Sequence, residues 1–402
     1  MDWYENNSFL KGIINKMGKI SDPIRIASFD LDDTIIYRPK GKLDDKKWKI
    51  INLSIVDKIA DLVNDKYIII IFTNQGGMSI GKNFDKLKWR KAVDELVNFL
   101  VSKITDDKYY FAIYVAKNYD LNRKPNIGLW NQMKNDLKEE FNLEKLRISK
   151  KSFFCGDAAG RISASIFKKK IYPSSNKGDF SDTDRKFALN IGINFLTPEE
   201  FYLDNAPKMQ YELVGIDPNQ LIEQVISNKY KFKPREKEMI IMVGPPGSGK
   251  SEFVKKYILS YKYIHINQDM CKTKAKCMNL TKEALEKNKS IVIDNTNPDI
   301  STRMSFTTMA LEHDYKHIRA IIMNTDEAVA KHMNNVRHVY SNGIIPHVNN
   351  IAYNIYKKKY VRPQKSEHFD KIETVDFIFD SKHLDDPLWK KIFMRWSSRF
   401  FI

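Results

Sequence analysis

The 402-residue chain has 67 lysines and arginines against 50 aspartates and glutamates, a formal net charge of +17 at pH 7, with 42% hydrophobic and 29% charged residues. That balance excludes an intrinsically disordered chain, and the length suffices for two cores. Three cysteines without a CxxC pair exclude a disulfide scaffold and a zinc knuckle and fit a reducing compartment.

The opening residues, Met1 to Asn6, have no signal-peptide pattern, and the longest aliphatic run, Tyr67 to Phe72, is too short to cross a bilayer. In chain order, Ile24–Asp30 reads as a buried strand, Leu53–Val63 as a helix and Tyr67–Asn74 as a strand. Phe84–Ile104 reads as a helix, Tyr109–Lys117 as a strand, Ile127–Phe141 as a helix and Phe153–Asp157 as a strand. A proline-bearing connector with one short helix near Gln220–Ser227 follows. A second alternation then places strands at Glu238–Val243, Ile264–Gln268, Ser290–Asp294 and Arg319–Asn324. The expected fold class is α/β, with two parallel sheets wrapped by helices. The expected domains are 1–205, a connector at 206–236, and 237–402. The positive excess is spread over both halves, which favours a polyanionic partner, nucleic acid before membrane. A lysine-rich composition alone is the bland alternative.

Phe29-Asp30-Leu31-Asp32-Asp33-Thr34 lies where the first strand ends. Aspartates two apart on extended chain point the same way, and reacting groups in parallel sheets gather at the carboxyl ends of strands. Two such carboxylates repel unless a cation joins them, and Mg²⁺ favours oxygen ligands. Other strand ends and their loops add a hydroxyl at Thr73, a fixed cation at Lys124 in Arg123-Lys124-Pro125, and another carboxylate at Asp157 in Gly156-Asp157-Ala158-Ala159-Gly160-Arg161. Nucleophile, metal and cationic clamp together describe phosphoryl transfer.

Gly244-Pro245-Pro246-Gly247-Ser248-Gly249-Lys250-Ser251 matches GxxxxGK[ST] between an apolar strand and a helical pattern at Glu252–Leu259. The backbone N–H groups of such a loop, at Gly244, Gly247, Ser248 and Gly249, cradle the phosphates of ATP. Lys250 reaches the β/γ-phosphates and Ser251 binds Mg²⁺. Asp269 ends the next strand, where a carboxylate can take a proton from an attacking hydroxyl. Asp294 is a candidate for the metal shell, and Arg303 and Arg337 are candidate phosphate clamps.

The first set of motifs resembles the haloacid dehalogenase superfamily. The resemblance implies that Asp30 attacks phosphorus and that Asp32 protonates the leaving oxygen and then activates water. It further implies that Thr73 and Lys124 hold the phosphoryl group, and that Asp157 binds Mg²⁺ with Asp30 and the Asp32 main-chain carbonyl. Asp33 stands where that family usually has glycine. The usual second metal-side carboxylate is not evident; Asp179 and Asp184 are nearby alternatives, neither assigned. Both motif sets in this order resemble the polynucleotide kinase 3′-phosphatase family. Further similar segments are Asp179-Phe180-Ser181, Thr197-Pro198-Glu199-Glu200-Phe201 and Asp294-Asn295-Thr296-Asn297-Pro298-Asp299. The resemblance implies that Asp269 is the base for a 5′-hydroxyl and that Arg337 contacts ATP phosphates from a lid. Glu252 follows Ser251 where the family usually has threonine, and the kinase is expected to tolerate it.

The expected partners are ATP and DNA ends at nicks, gaps or double-strand breaks, with RNA ends as the alternative and no membrane. A monomer is expected, in an intracellular setting that is nuclear, cytoplasmic or a viral replication site. Cellular relatives carry a forkhead-associated domain; this chain starts almost directly at the phosphatase motifs, so recruitment through such a domain is not expected. A small-molecule phosphatase fused to a nucleoside kinase, and a binding scaffold with degenerate sites, are the other readings.

Overall fold

The structure is a computed structural model and describes residues 1–38, 48–80, 84–227, 230–378 and 381–397. It forms two compact units, Met1–Val214 with a short stretch beginning at Trp396, and Gly215–Arg395.

In the first unit the strands are β1 (Asp2–Glu5), β2 (Phe9–Asn15), β3 (Arg25–Phe29), β4 (Ile36–Tyr37), β5 (Lys49–Ile50), β6 (Tyr67–Asn74), β7 (Tyr110–Ala116), β8 (Phe153–Cys155) and β9 (Asn194–Leu196). Seven of them form one sheet in the order β1-β2-β7-β6-β3-β8-β9, while β4 and β5 pair separately. The central strands are β-branched and aromatic because both faces of the sheet are covered. Along β6, Ile69 and Ile71 face one core while Ile68, Ile70 and Phe72 face the other. The chain moves from β3 outward through β6 and β7, then returns to the other side through β8 and β9. The strand order therefore reverses at β3, the position where α/β sheets open a crevice at their carboxyl edge.

The sheet is not wholly parallel. β1 and β2 pair antiparallel with each other, and β2 pairs antiparallel with β7. β1 is short and both strands are partly exposed, so no buried apolar run announces them. Their order comes from pairing with β7, about a hundred residues further along the chain.

The second unit holds β10 (Glu238–Val243), β11 (Ile264–Ile266), β12 (Ile291–Ile293), β13 (His317–Asn324) and β14 (Lys371–Asp376). Their order is β11-β12-β10-β13-β14 and every pairing is parallel. β10 is buried throughout, with Met239, Ile241 and Val243 on one core and Ile240 and Met242 on the other. β14 is an edge strand with mostly exposed or half-buried side chains, and its polar sequence gives little sign of a strand. The helix after the phosphate-type loop begins at Lys250 and tightens and loosens along its length: an α turn to Phe253, a π turn over Val254–Ile258 and a 3₁₀ turn over Leu259–Tyr261.

Candidate active sites

The carboxyl edge of the first sheet draws side chains from four segments. The Asp30 N–H donates to Cys155 O at 2.8 Å, which fastens the end of β3 to β8. Lys124, with a side chain only 2% exposed, places Nζ 2.9 Å from Asp30 Oδ1 and 2.6 Å from Asp184 Oδ1. Asn74 holds it there: its Oδ1 accepts the Lys124 N–H at 2.9 Å and its Nδ2 donates to the Lys124 carbonyl at 3.2 Å. Burial alone would lower the lysine pKa, but Asp184 and Asp30 more than offset this and raise it.

Asp30, Asp157 and Asp184 offer oxygens that all lie within 4.8 Å of one another. Burial, then the charges of Asp184 and Asp30, pushes the Asp157 carboxyl far up. Burial also raises Asp184, against the pull of Lys124. Two of the three carboxyls share one ammonium, and this all-oxygen donor set suits a hard divalent cation. Of the two carboxylates left open by the sequence, Asp184 joins the cluster. Asp179 does not, because its Oδ2 accepts Arg161 Nε at 2.8 Å. Asp184 lies in the first turn of the helix Thr183–Ile191, and its Oδ2 accepts the Ala158 N–H at 3.1 Å. Gly156 makes this approach possible, since a Cβ there would sit 2.4 Å from Asp184 Oδ2.

Asp32 is gripped at both oxygens. Gln75 Nε2 donates to Oδ2 at 2.6 Å and Arg38 Nη2 lies 3.1 Å from Oδ1. Burial raises its pKa, Arg38 opposes this and Asp30 adds to the rise. Gln75 also donates to Thr73 Oγ1 at 3.0 Å. Sequence reasoning assigned no role to Gln75 or Asn74. The available signal was period two: Gln75 follows Thr73 by two residues and points the same way. Asp33 has φ 54°, a left-handed conformation that glycine adopts freely and aspartate tolerates. The glycine position thus accepts aspartate, at the cost of a carboxyl that burial and its aspartate neighbours push up to about 6.

In the second unit, the loop after β10 turns through Gly247 at φ 76° and Gly249 at φ 88°. A Cβ on Gly247 would lie 2.2 Å from Ala330 O, so helix and loop approach too closely for any side chain there. Lys250 Nζ donates to the carbonyls of Gly244 at 2.9 Å and Pro245 at 2.7 Å. Ser248 is buried, and its carbonyl accepts Thr325 Oγ1 at 3.0 Å.

Asp294, beyond β12, is 2.9 Å from His265 Nε2 and accepts Asn267 Nδ2 at 3.1 Å. Burial would raise its pKa, but His265, Ser251 and Lys250 hold it low and the carboxylate ionised. Its Oδ1 is buried and has no hydrogen-bond partner among the described residues. The carboxylate also interacts with the Ser251 hydroxyl, and an unfilled oxygen on it fits a metal shell that includes that hydroxyl. Asp269 lies in the short helix Gln268–Cys271, and its side chain falls outside the described residues. Arg337 is exposed on the helix Glu327–Tyr340.

Arg303 requires a correction. It is fully buried and gives Glu367 a two-pronged ion pair at 2.7 and 2.9 Å. Its Nη1 donates to the carbonyls of Asn297 and Pro298, both at 3.0 Å. Every nitrogen is committed to the fold, so it cannot serve as an ATP phosphate clamp.

Residues 25–202 match the family model described as polynucleotide kinase 3 phosphatase, and residues 239–349 match an AAA domain model. A mimivirus protein from Acanthamoeba polyphaga mimivirus, provisionally named a bifunctional polynucleotide phosphatase/kinase, is 62% identical over 99% of this chain and 95% of its own. The bifunctional polynucleotide phosphatase/kinase of Schizosaccharomyces pombe is 34% identical over 90% of this chain and 82% of its own. The chain belongs to this bifunctional phosphatase/kinase family. The polynucleotide 3′-phosphatase of Saccharomyces cerevisiae is 27% identical over 44% of this chain and 87% of its own. The phosphatase match contains Asp30, Asp32, Thr73, Lys124, Asp157 and Asp184. The AAA match contains the Gly244–Ser251 loop, Asp294 and Arg337. Among the described residues, no helix is long and apolar enough to cross a membrane.

Proposed function

We propose that the chain heals broken DNA ends, removing a 3′-phosphate at the first site and phosphorylating a 5′-hydroxyl with ATP at the second, so that a ligase can join them. The observation that carries this reading is one chain with two phosphate-handling centres: the Asp30–Lys124–Asp184–Asp157 cluster and the Gly244–Ser251 loop.

In the first half-reaction the Asp30 carboxylate attacks phosphorus while Asp32 gives its proton to the departing 3′-oxygen, leaving an aspartyl-phosphate. The raised Asp32 carboxyl supports the donor role. Asp32 then takes a proton from water, whose oxygen attacks phosphorus and restores Asp30 with release of inorganic phosphate. Thr73 and Lys124 hold the phosphoryl oxygens throughout. Asp30, Asp157, Asp184 and the Asp32 carbonyl would hold Mg²⁺, which when bound offsets the charge of phosphate and carboxylates.

In the second half-reaction the loop amides and Lys250 hold the ATP phosphates, with Arg337 as the lid contact. Ser251 and Asp294 would form the metal shell. Asp269, three residues past the end of β11, takes the proton of the attacking 5′-hydroxyl as the γ-phosphoryl group leaves ADP. A chain of charge +17 suits a substrate with an anion at every linkage. The phosphatase-before-kinase order supports DNA over RNA, and an intracellular setting follows from that substrate.

End-group analysis on a nicked duplex bearing a 3′-phosphate and a 5′-hydroxyl tests the reading. The 3′-phosphate should disappear with Mg²⁺ alone, and the 5′-phosphate should form only when ATP is added. Persistence of both original ends would overturn the proposal. Faster turnover of the matched RNA substrate would overturn the DNA assignment.

A further inference from the structure

The helix Glu327–Tyr340 meets the phosphate-type loop on one face. Its Ala330 carbonyl is the group that leaves Gly247 no room for a Cβ, at 2.2 Å from where one would stand. Tyr353, buried on the helix Asn350–Lys359, donates to the same carbonyl at 3.4 Å. Residues four and seven places further along a helix share that face. Here they are Asn334 and Arg337. The face that touches the loop is thus the face that carries the arginine.

Asn334 is fully buried, although it is a polar residue in the middle of a helix. All four of its hydrogen-bonding positions are used. Oδ1 accepts the Val348 N–H at 3.1 Å and Arg337 Nη2 at 3.4 Å. Nδ2 donates to the Val348 carbonyl at 2.8 Å and to His347 Nε2 at 3.1 Å. Burial, with the charges of His338 and Arg337 added, pushes His347 down to about 4. Its ring is therefore neutral near pH 7 and one ring nitrogen can accept. By gripping both backbone groups of Val348, the carboxamide fastens the loop between the two helices back onto the first of them. The start of that loop closes locally, with the Gly343 N–H on His338 O at 2.9 Å and the Ile345 N–H on Ser341 Oγ at 3.0 Å. One residue after Val348, Asn349 caps the next helix, its Oδ1 accepting the Ala352 N–H at 3.1 Å.

An exposed arginine divides its time among many rotamers, and Arg337 is exposed. The Asn334 oxygen gives it an acceptor three residues back, one that is itself fixed by Val348. We propose that Asn334 is a positioning residue for phosphoryl transfer at the second site, holding Arg337 and the loop at Val348 in the arrangement that meets the ATP phosphates. Its own polar atoms face Val348, His347 and Arg337, so its effect on ATP passes through the arginine. A group already set in the working geometry need not be ordered when the nucleotide arrives. This rests on the kinase reading above and adds to it the residue that sets the arginine's place.

The test is a double-mutant cycle on the full chain, with Asn334→Ala, Arg337→Ala and the two combined. Each is assayed for phosphorylation of a 5′-hydroxyl oligonucleotide at varied ATP. Arg337→Ala should lower kcat/KM for ATP about tenfold, and Asn334→Ala about fivefold, the scale of one hydrogen bond. The combined variant should fall no further than Arg337→Ala alone, because the two residues act as a unit. Losses that multiply, to about fiftyfold, would overturn the assignment, as would an Asn334→Ala value equal to that of the unmodified chain. Asn334→Asp, of nearly the same size, repeats the cycle, and its loss too should vanish when Arg337 is already alanine. Hydrolysis of p-nitrophenyl phosphate, read at the first site, should be unaltered in every variant, and melting curves show that each is folded. If both Asn334 variants were unfolded at the assay temperature, Asn334 would be a requirement of the fold and the positioning role would fall. If the unmodified chain formed no 5′-phosphate with ATP, the functional reading itself would fall, whereas an active chain with multiplying losses removes the positioning role alone.

Discussion

The two units handle phosphate by different means. The first assembles side chains from segments as far apart in sequence as Asp30 and Asp184, and its centre is one buried lysine among three carboxyls. The loop proposed to hold phosphate in the second is eight consecutive residues, with a backbone path that turns through Gly247 and Gly249 at positive φ. A site made of distant side chains depends on mutual charge balance, so each member changes the others. A site made of contiguous backbone depends on local shape, so most neighbouring side chains matter less.

The sharpest way to break this comparison is reciprocal inactivation. Asp30→Asn should reduce 3′-phosphate removal roughly a thousandfold or more while 5′ phosphorylation continues. Lys250→Ala should do the reverse. Assays of both activities on each folded variant check this, and loss of both from one change would refute two separate centres.

The next effect concerns the residue the sequence left unassigned. Asp184→Asn should lower phosphatase turnover about tenfold to a hundredfold and raise the Mg²⁺ concentration needed for half-maximal rate. An unchanged Mg²⁺ dependence would remove Asp184 from the metal set.

A third contrast separates Arg303 and Arg337, the two arginines that the sequence offers as phosphate clamps in the second unit. Arg303→Ala leaves Glu367 buried and unpaired, which should cost ~3–5 kcal/mol and lower the melting temperature by about 10 °C. Arg337→Ala, at an exposed position, should leave melting unchanged and lower kinase kcat/KM about tenfold. Equal melting temperatures for the two variants would contradict the structural role of Arg303.

The smallest effect is a pH dependence of the first unit's acidic cluster, opposite in sign to that of the buried His332 and His347 of the second unit, which burial pushes down to about 4. Asp157 and Asp184 have folded pKa values above the usual carboxylate range, chiefly through burial. The folded state therefore binds more protons than the unfolded state, so stability in the presence of a chelator should fall as pH rises from about 4 toward neutrality and beyond. Mg²⁺ held by these carboxylates would replace those protons, so its stabilising effect should grow with pH. Melting curves with chelator and with Mg²⁺ at several pH values check the sign, and an effect that shrinks with rising pH would refute it.

The legible part of the site was the part that is local in sequence. The spacing of Asp30 and Asp32 and the GxxxxGK[ST] run are short patterns with a direct physical meaning, and the central strands announce themselves as buried apolar runs. Arg303 shows where such reading stops. A cation near a phosphate loop looks like a clamp until Glu367, 64 residues away, is found against it.

The sequence by itself determined the α/β architecture, the two phosphate-handling motifs and most of the groups proposed to do chemistry, because strand burial, side-chain alternation and glycine turns act over a few residues. Only the tertiary structure decided that Asp184 rather than Asp179 completes the acidic cluster, that Gln75 and Arg38 grip Asp32, and that β1 and β2 extend the sheet antiparallel. Each depends on partners brought together by chain reversal across the sheet, and charge pairing at 3 Å leaves no trace in the order of residues.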